Sequence, residues 1–434
     1  MIPEVLRLPD FRRVFLAQVI STVGDFFVPV AISFAVLDLT GSVSDLGLVL
    51  FARILGQVLL FLAGGVWADR LPRQQVMVAS NVVRFFSQGV LGVLLVSGHA
   101  EVWELIVLQL VHGAATGVFR PAATGLTPQL VPATQLQAAN GLMFLTLSIG
   151  GIVGPAVGGL LVATAGAGWA LIGDAVTFAF GAALLAQIRP LGYAPRPRES
   201  FWRELGGGWR EVRSRTWLWA SIVDFAGFQM IYLATIMVLG PLIAKQSLGG
   251  AGAWAAILVA FSFGTLLGNA WSMRLRPKRP LIFAWAIILL CGPSLVLLAF
   301  RTPAWTIALT EMFSGLSIGV AGTLWETTLQ RNVPAEALSR VSAYDWMGST
   351  ALRPLGLAIV GPIAQAVGVK ETLLAAFGLT MISSLTLLAV PDMWRITGDL
   401  APDRAAVAPD ETLGVEAEPA GARRLGPSRV TNRY

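Results

Sequence analysis

A carboxylate or guanidinium in the middle of a long apolar run costs at least ~2.5 kcal/mol to insert into a bilayer, so each one is a candidate for function. Asp25 is the first. It lies about twelve residues past Arg13, roughly 18 Å at the helical rise and so near mid-membrane. Burial favours its neutral acid, a neighbouring guanidinium favours its carboxylate, and a proton and a cationic cargo can displace each other on such a group. Arg84 and Arg120, each inside an apolar run of its own, are the candidate partners, and Asp224 is a further candidate for proton coupling or substrate contact. The alternative for an Asp–Arg pair is a static bridge that fixes helix packing. Asp174, Asp224 and Glu311 stand nearer the ends of their runs, where lipid headgroups are expected to reach them. His112 could titrate near neutral pH, but a lone histidine in an apolar run reads first as a packed core residue.

Other chemistry has little to work with. His99 and His112 are the only histidines and Cys291 the only cysteine, so neither a metal site nor an internal disulfide is expected, and no cofactor is implied. Nor does the chain carry HExxH or GxxxxGK[ST], the arrangements a zinc-dependent intramembrane enzyme or an ATP-driven pump would need.

The elements that position these charges follow from composition. Of 434 residues, 55% are hydrophobic and 13% charged, with a mean hydropathy of +0.70, which excludes an ordinary water-soluble enzyme. The net charge of +6 is scattered as arginines between apolar stretches, so no nucleic-acid partner is expected. Apolar runs of spanning length fall near 14–38, 46–66, 75–97, 103–124, 138–164, 168–188, 217–242, 252–273, 281–300, 304–327, 341–367 and 371–391. None alternates with period two, so the fold class is an all-α membrane protein of twelve transmembrane helices. The first run follows MIPEVLRLPDFRR without a small-residue cleavage site and reads as a retained span.

Lys and Arg between spans fall almost wholly in alternate loops. Arg7, Arg12, Arg13, Arg70, Arg73, the run Arg189 to Arg215, Arg274 to Arg279, Arg331 and Arg340 lie on one side, and Lys245, Arg301 and Lys370 on the other. Positive loops stay inside, so both termini are expected in the cytoplasm. The expected organisation is an N-terminal six-helix bundle (1–188), a cytoplasmic linker (189–216), a C-terminal six-helix bundle (217–392) and a disordered tail (393–434). In the linker Phe201, Trp202, Leu205, Trp209 and Val212 recur at helical spacing, as in an interfacial amphipathic helix. A monomer in the cell membrane is expected.

The halves repeat. GGVWADRL at 64–71 falls on GNAWSMRL at 268–275, VPATQL at 131–136 on VPAEAL at 333–338, and Gly-Pro at 154–155 on Gly-Pro at 361–362. Three matches in one order at nearly one shift favour duplication, and two six-helix halves are a transporter architecture.

The loop after the second span reads Gly65, Val66, Trp67, Ala68, Asp69, Arg70, Leu71, Pro72, Arg73, Gln74. It resembles the loop between spans 2 and 3 of the major facilitator superfamily, with Pro72 in place of a Gly and Gln74 in place of the last basic residue. The resemblance implies a cytoplasmic gate at Gly65, Asp69, Arg70 and Arg73, with Asp69 latching the halves. Glu326, Arg340 and Asp345 are the candidate second latch. Gly141, Gly150, Gly154, Pro155, Gly158 and Gly159 satisfy the span-5 pattern of that superfamily's proton-coupled exporters. Small residues let helices approach closely, and Pro155 bends the span. The chain is most similar to the enterobactin-exporter, macrolide-efflux and actinobacterial multidrug-efflux branch, on STVGDFF, VFRPA, AANGL, GDAVTF and ETTLQRNVPAEALSRVSA. The superfamily's usual span-4 arginine is absent; Gln109 and Gly113 stand in its register. These observations imply export of a hydrophobic or amphipathic small molecule against inward protons, in a lipid bilayer. Uptake or uncoupled facilitation by the same fold is the alternative.

Overall fold

The computed structural model describes residues 4–68, 71–188 and 209–397, with backbone alone at 62–68 and at Arg340 among others. Asp69, Arg70, most of the linker with Phe201, Trp202 and Leu205, and the tail after 397 lie outside the described residues. Twelve helices are long and apolar enough to cross a membrane. They are α1 (Pro9–Leu39), α2 (Val43–Ala68), α3 (Arg73–Ser97), α4 (Val102–Leu130), α5 (Leu136–Ala165) and α6 (Ala167–Ala186). The second six are α7 (Thr216–Leu248), α8 (Ala251–Ser272), α9 (Pro280–Ala299), α10 (Ala304–Asn332), α11 (Ala335–Ala351, resuming as Arg353–Val367) and α12 (Val369–Leu388). Among the described residues there is no strand.

Local sequence accounts for many of the ends. Pro sits in the first turn of α1 and α9, where its missing N–H is not needed. Glu101 and Glu104 form a reciprocal capping box at the start of α4. Two interruptions were not legible. The run expected at 341–367 breaks at Leu352, beside Pro354, which cannot donate to the preceding turn. α7 is continuous but loosens into π turns at Gln229–Leu233 and Ala244–Leu248.

The duplication reappears in the backbone. Left-handed turns occur at Gly98 (φ +74°) and Gly166 (φ +90°), and again at Arg301 (φ +51°) and Gly368 (φ +107°), two residue pairs at the shift seen in the sequence. Close helix pairs repeat too: α2 lies on α4 and α8 on α10. A Cβ at Gly113 would collide with the Arg53 carbonyl, and one at Gly315 with the Phe261 carbonyl, so these crossings exist because those positions lack side chains. Large apolar side chains such as Phe86, Trp103, Leu160 and Ile382 are turned outward, as a lipid-facing surface requires.

The two sets of six meet along α2 with α11 and α5 with α8. At one end, Lys245 Nζ lies 2.5 Å from Asp38 Oδ1 and donates to the Leu37 carbonyl at 2.7 Å. Toward the other end a cavity of about 760 Å³ separates them.

Candidate functional site

Asp25 is in the wall of that cavity, near the middle of α1 and just before its tightly buried last turns. Arg53 of α2 reaches one carboxylate oxygen at 3.3 Å and Arg84 of α3 the other at 3.3 Å. The Arg84 guanidinium is buried between the rings of Phe119 and Phe178, 4.2 and 4.4 Å from their centroids, and donates to Asn81. Nε2 of His112 is 3.7 Å from Asp25, beyond hydrogen-bond reach, and neither ring nitrogen has a partner among the described residues. His112 thus packs in the core against Phe178 while bordering the acid.

A chain of hydrogen bonds leads away from this cluster. Arg53 donates to Gln109 at 3.2 Å, Gln109 to Gln88 at 2.8 Å, and Gln88 to Asp174 at 2.9 Å. It joins α2, α4, α3 and α6. Gly24 allows the closure, since a side chain there would strike Asp174 and Thr177. Asp174 is fully buried; the expectation that headgroups reach it is corrected, because it faces the bundle interior. The cation absent from Gln109's register on α4 is supplied from α2.

Arg53 was missed in the sequence, although it stands inside an apolar run as Arg84 does. Arg353 of α11, also in the cavity wall, was missed in the same way. Arg120 lines the cavity but does not contact Asp25; Arg84 is the partner of the two candidates considered.

The second six helices hold their acids differently. Glu311 is buried and accepts from the Tyr232 hydroxyl at 2.9 Å, which also meets Ser294 and Ser314, so the headgroup expectation fails here as well. Asp224 is buried, accepts from Ser383 of α12 and lines neither cavity. Glu326 and Asp345 line a smaller pocket of about 350 Å³ with Phe225, Trp285, Trp325 and Trp346. Asp345 accepts from Trp325 Nε1 at 2.9 Å and Ser349 at 3.3 Å. Among the described residues neither acid has a cation partner, and the Arg340 side chain is not among them.

At the start of α3, Arg73 donates to the Gly125 carbonyl of α4. Gln74, where a basic residue was expected, donates to the Leu185 and Ile188 carbonyls at 2.8 and 2.6 Å and so caps the end of α6. The surroundings of Gly65 are not described. The α5 glycines divide between two neighbours. Gly150, Gly154 and Gly158 lie against Thr22, Phe26 and Phe27 of α1, Gly159 lies against Ala255 of α8, and Gly141 faces open space. Pro155 lines the cavity. Gly159→Val should overpack the α5–α8 crossing by about 1–3 kcal/mol, read as a lower melting temperature in detergent; Gly141→Ala should leave it unchanged.

The sequence pattern of the Major Facilitator Superfamily matches residues 14–357. The chain belongs to that superfamily. It is 27% identical over 395 residues to the enterobactin exporter EntS of Shigella boydii serotype 18, covering 89% of this chain and 93% of that one. The EntS of Escherichia coli O1:K1 is 27% identical over 398 residues, with the same coverage. Among solved structures, an inward-facing, unoccupied bacterial homologue of the human lysosomal transporter Spinster superposes with a TM-score of 0.71 at 16% identity, covering 89% of this chain and 98% of the other. The nucleoside transporter NupG superposes at 0.69 with 13% identity, covering 90% and 99%. The all-α, twelve-helix reading and the resemblance are both borne out. As a member of the superfamily the chain is a multi-pass inner-membrane transporter of small molecules.

Proposed function

We propose that this transporter exports a hydrophobic or amphipathic small molecule in exchange for protons, by alternating access of its two six-helix halves (1–188 and 217–392). The observation that carries the reading is Asp25: a carboxylate in the wall of a cavity between the halves, bridged to two arginines on different helices. Protonation removes its charge and loosens its hold on both, so a proton arriving at one atom can change how three helices are tied. The named exporters among the relatives support the outward direction. The Lys and Arg distribution supports cytoplasmic termini, an orientation with the cavity toward the cytoplasm and the Asp38–Lys245 end toward the outside. In this orientation Asp69, Arg70, Arg73 and the group Glu326, Arg340 and Asp345 belong to the cytoplasmic gate. The working unit is a monomer, since one chain supplies both halves of the cavity.

The test is transport by purified protein in proteoliposomes under an imposed pH gradient, with carboxyfluorescein and a neutral amphiphile as cargoes. Movement that collapses with a protonophore is expected. Movement indifferent to the gradient would leave a facilitator. Lys245→Gln should have a small effect: the pair is half-exposed, such pairs are worth about 0.2–1 kcal/mol, and turnover should change less than about fivefold.

A further inference from the structure

The ionisable groups lining the central cavity are Asp25, Arg53, Arg84, Arg120 and Arg353, four guanidiniums to one carboxylate. Arg53 and Arg84 share that carboxylate. Arg120 and Arg353 have no side-chain hydrogen bond or ion pair to any described residue, and the Arg353 Nε is buried without a partner. They stand on opposite halves, Arg120 on α4 and Arg353 on α11, and the charges of Arg120 and Arg53 both bear on Arg353. Arg120 is exposed to the cavity and Arg353 partly so, and guanidiniums facing one cavity from both halves without a counter-charge select for an anion. Guanidinium forks match the paired oxygens of carboxylate, sulfonate and phosphate groups. The same wall carries Phe26, Phe61, Phe119, Phe261 and Trp346, with Phe61 and Trp346 stacked across the halves at 4.2 Å between centroids. At about 760 Å³ the cavity suits a drug-sized ligand.

We infer that the cavity selects an organic anion with an aromatic or apolar body, its acidic group held between Arg120 of one half and Arg353 of the other. This rests on the transport reading above and reverses the cationic cargo expected from Asp25 alone. One arginine from each half means that a bound anion draws the halves together around itself, which is the differential contact that closure requires. A cation would instead find its counter-charges in the smaller pocket, at Glu326 and Asp345, which shares only Trp346 with the cavity.

Two dyes with one ring frame and opposite charge separate these outcomes: carboxyfluorescein and rhodamine 123, titrated by fluorescence anisotropy against the full chain in phosphatidylcholine nanodiscs. Carboxyfluorescein should bind at least about tenfold tighter, the factor that 1.4 kcal/mol of charge preference gives. Arg120→Gln and Arg353→Gln should each abolish that preference, and Arg353→Lys should restore part of it, which tells lost charge from lost folding. Equal affinities, a preference for rhodamine 123, no binding of the anion, or wild-type binding by Arg353→Gln would each overturn the inference. Repeating the titration with phosphatidylglycerol in the disc separates the possible sources of the anion: unchanged affinity assigns the site to soluble anions, and competitive loss to a lipid headgroup. Selective binding without movement of the dye in proteoliposomes would overturn the export reading and leave the anion site standing.

Discussion

Asp25→Asn is expected to insert and fold yet lose transport driven by a pH gradient. The amide keeps the size of the carboxylate and an oxygen that can still accept from Arg53 or Arg84, both now 3.3 Å away. It cannot change charge. Coupling between sites is typically about 1–3 kcal/mol, or about 5–150-fold in affinity, and the variant should lose a factor in that range from gradient-driven export while cargo binding persists. Measurement in proteoliposomes, with and without the gradient, checks this. Undiminished gradient-driven export would remove Asp25 from the mechanism and leave the static ion pair as its role.

The second large effect separates the two arginines. Arg84→Leu should destabilise the protein by about 3–5 kcal/mol, because it breaks a buried ion pair and leaves Asp25 with half its counter-charge. It also discards the Asn81 bond and the stacking on Phe119 and Phe178, each ring contact being worth about 0.5–2 kcal/mol. Arg53→Leu lies at the cavity wall, more open to water, and should fold nearly as well while losing transport. Thermal unfolding followed by size-exclusion fluorescence, beside export rates, distinguishes them. Two variants with matched melting temperatures would contradict the division of labour.

The helices were legible because a bilayer leaves the backbone no other choice, and the apolar runs mark them to within a few residues. Asp25 and Arg84 were legible for the same reason: a charge stands out against twenty apolar neighbours. The polar row beside them was not. Arg53, Gln88, Gln109 and Asp174 come from four helices, and which face each helix turns inward depends on packing at Gly24 and Gly113, not on sequence spacing. Depth was misjudged for Asp174 and Glu311 by counting residues from the ends of a run. Distance along a helix says how far a group lies from water at the ends, whereas its rotation decides whether it meets lipid, a neighbour or the interior. Gln74 shows the converse: read as a missing charge in a loop, it is the donor that closes the end of α6.

The hydrogen-bonded row from Arg53 to Asp174 also has a sense of direction. Arginine has only donors to offer, so Gln109 must present its oxygen to Arg53 and its NH2 onward, and Gln88 must repeat the choice before Asp174 accepts. While Arg53 stays in place, neither amide can turn over without setting donor against donor. Asp174, an acceptor at the far end, imposes the same sense, so the row is clamped from both sides, and reversing it requires both that Arg53 withdraw and that the Asp174 carboxylate take a proton and become a donor. The orientation of the two amides thus registers one guanidinium on α2 and one carboxylate on α6 together, with no proton having to travel along the row.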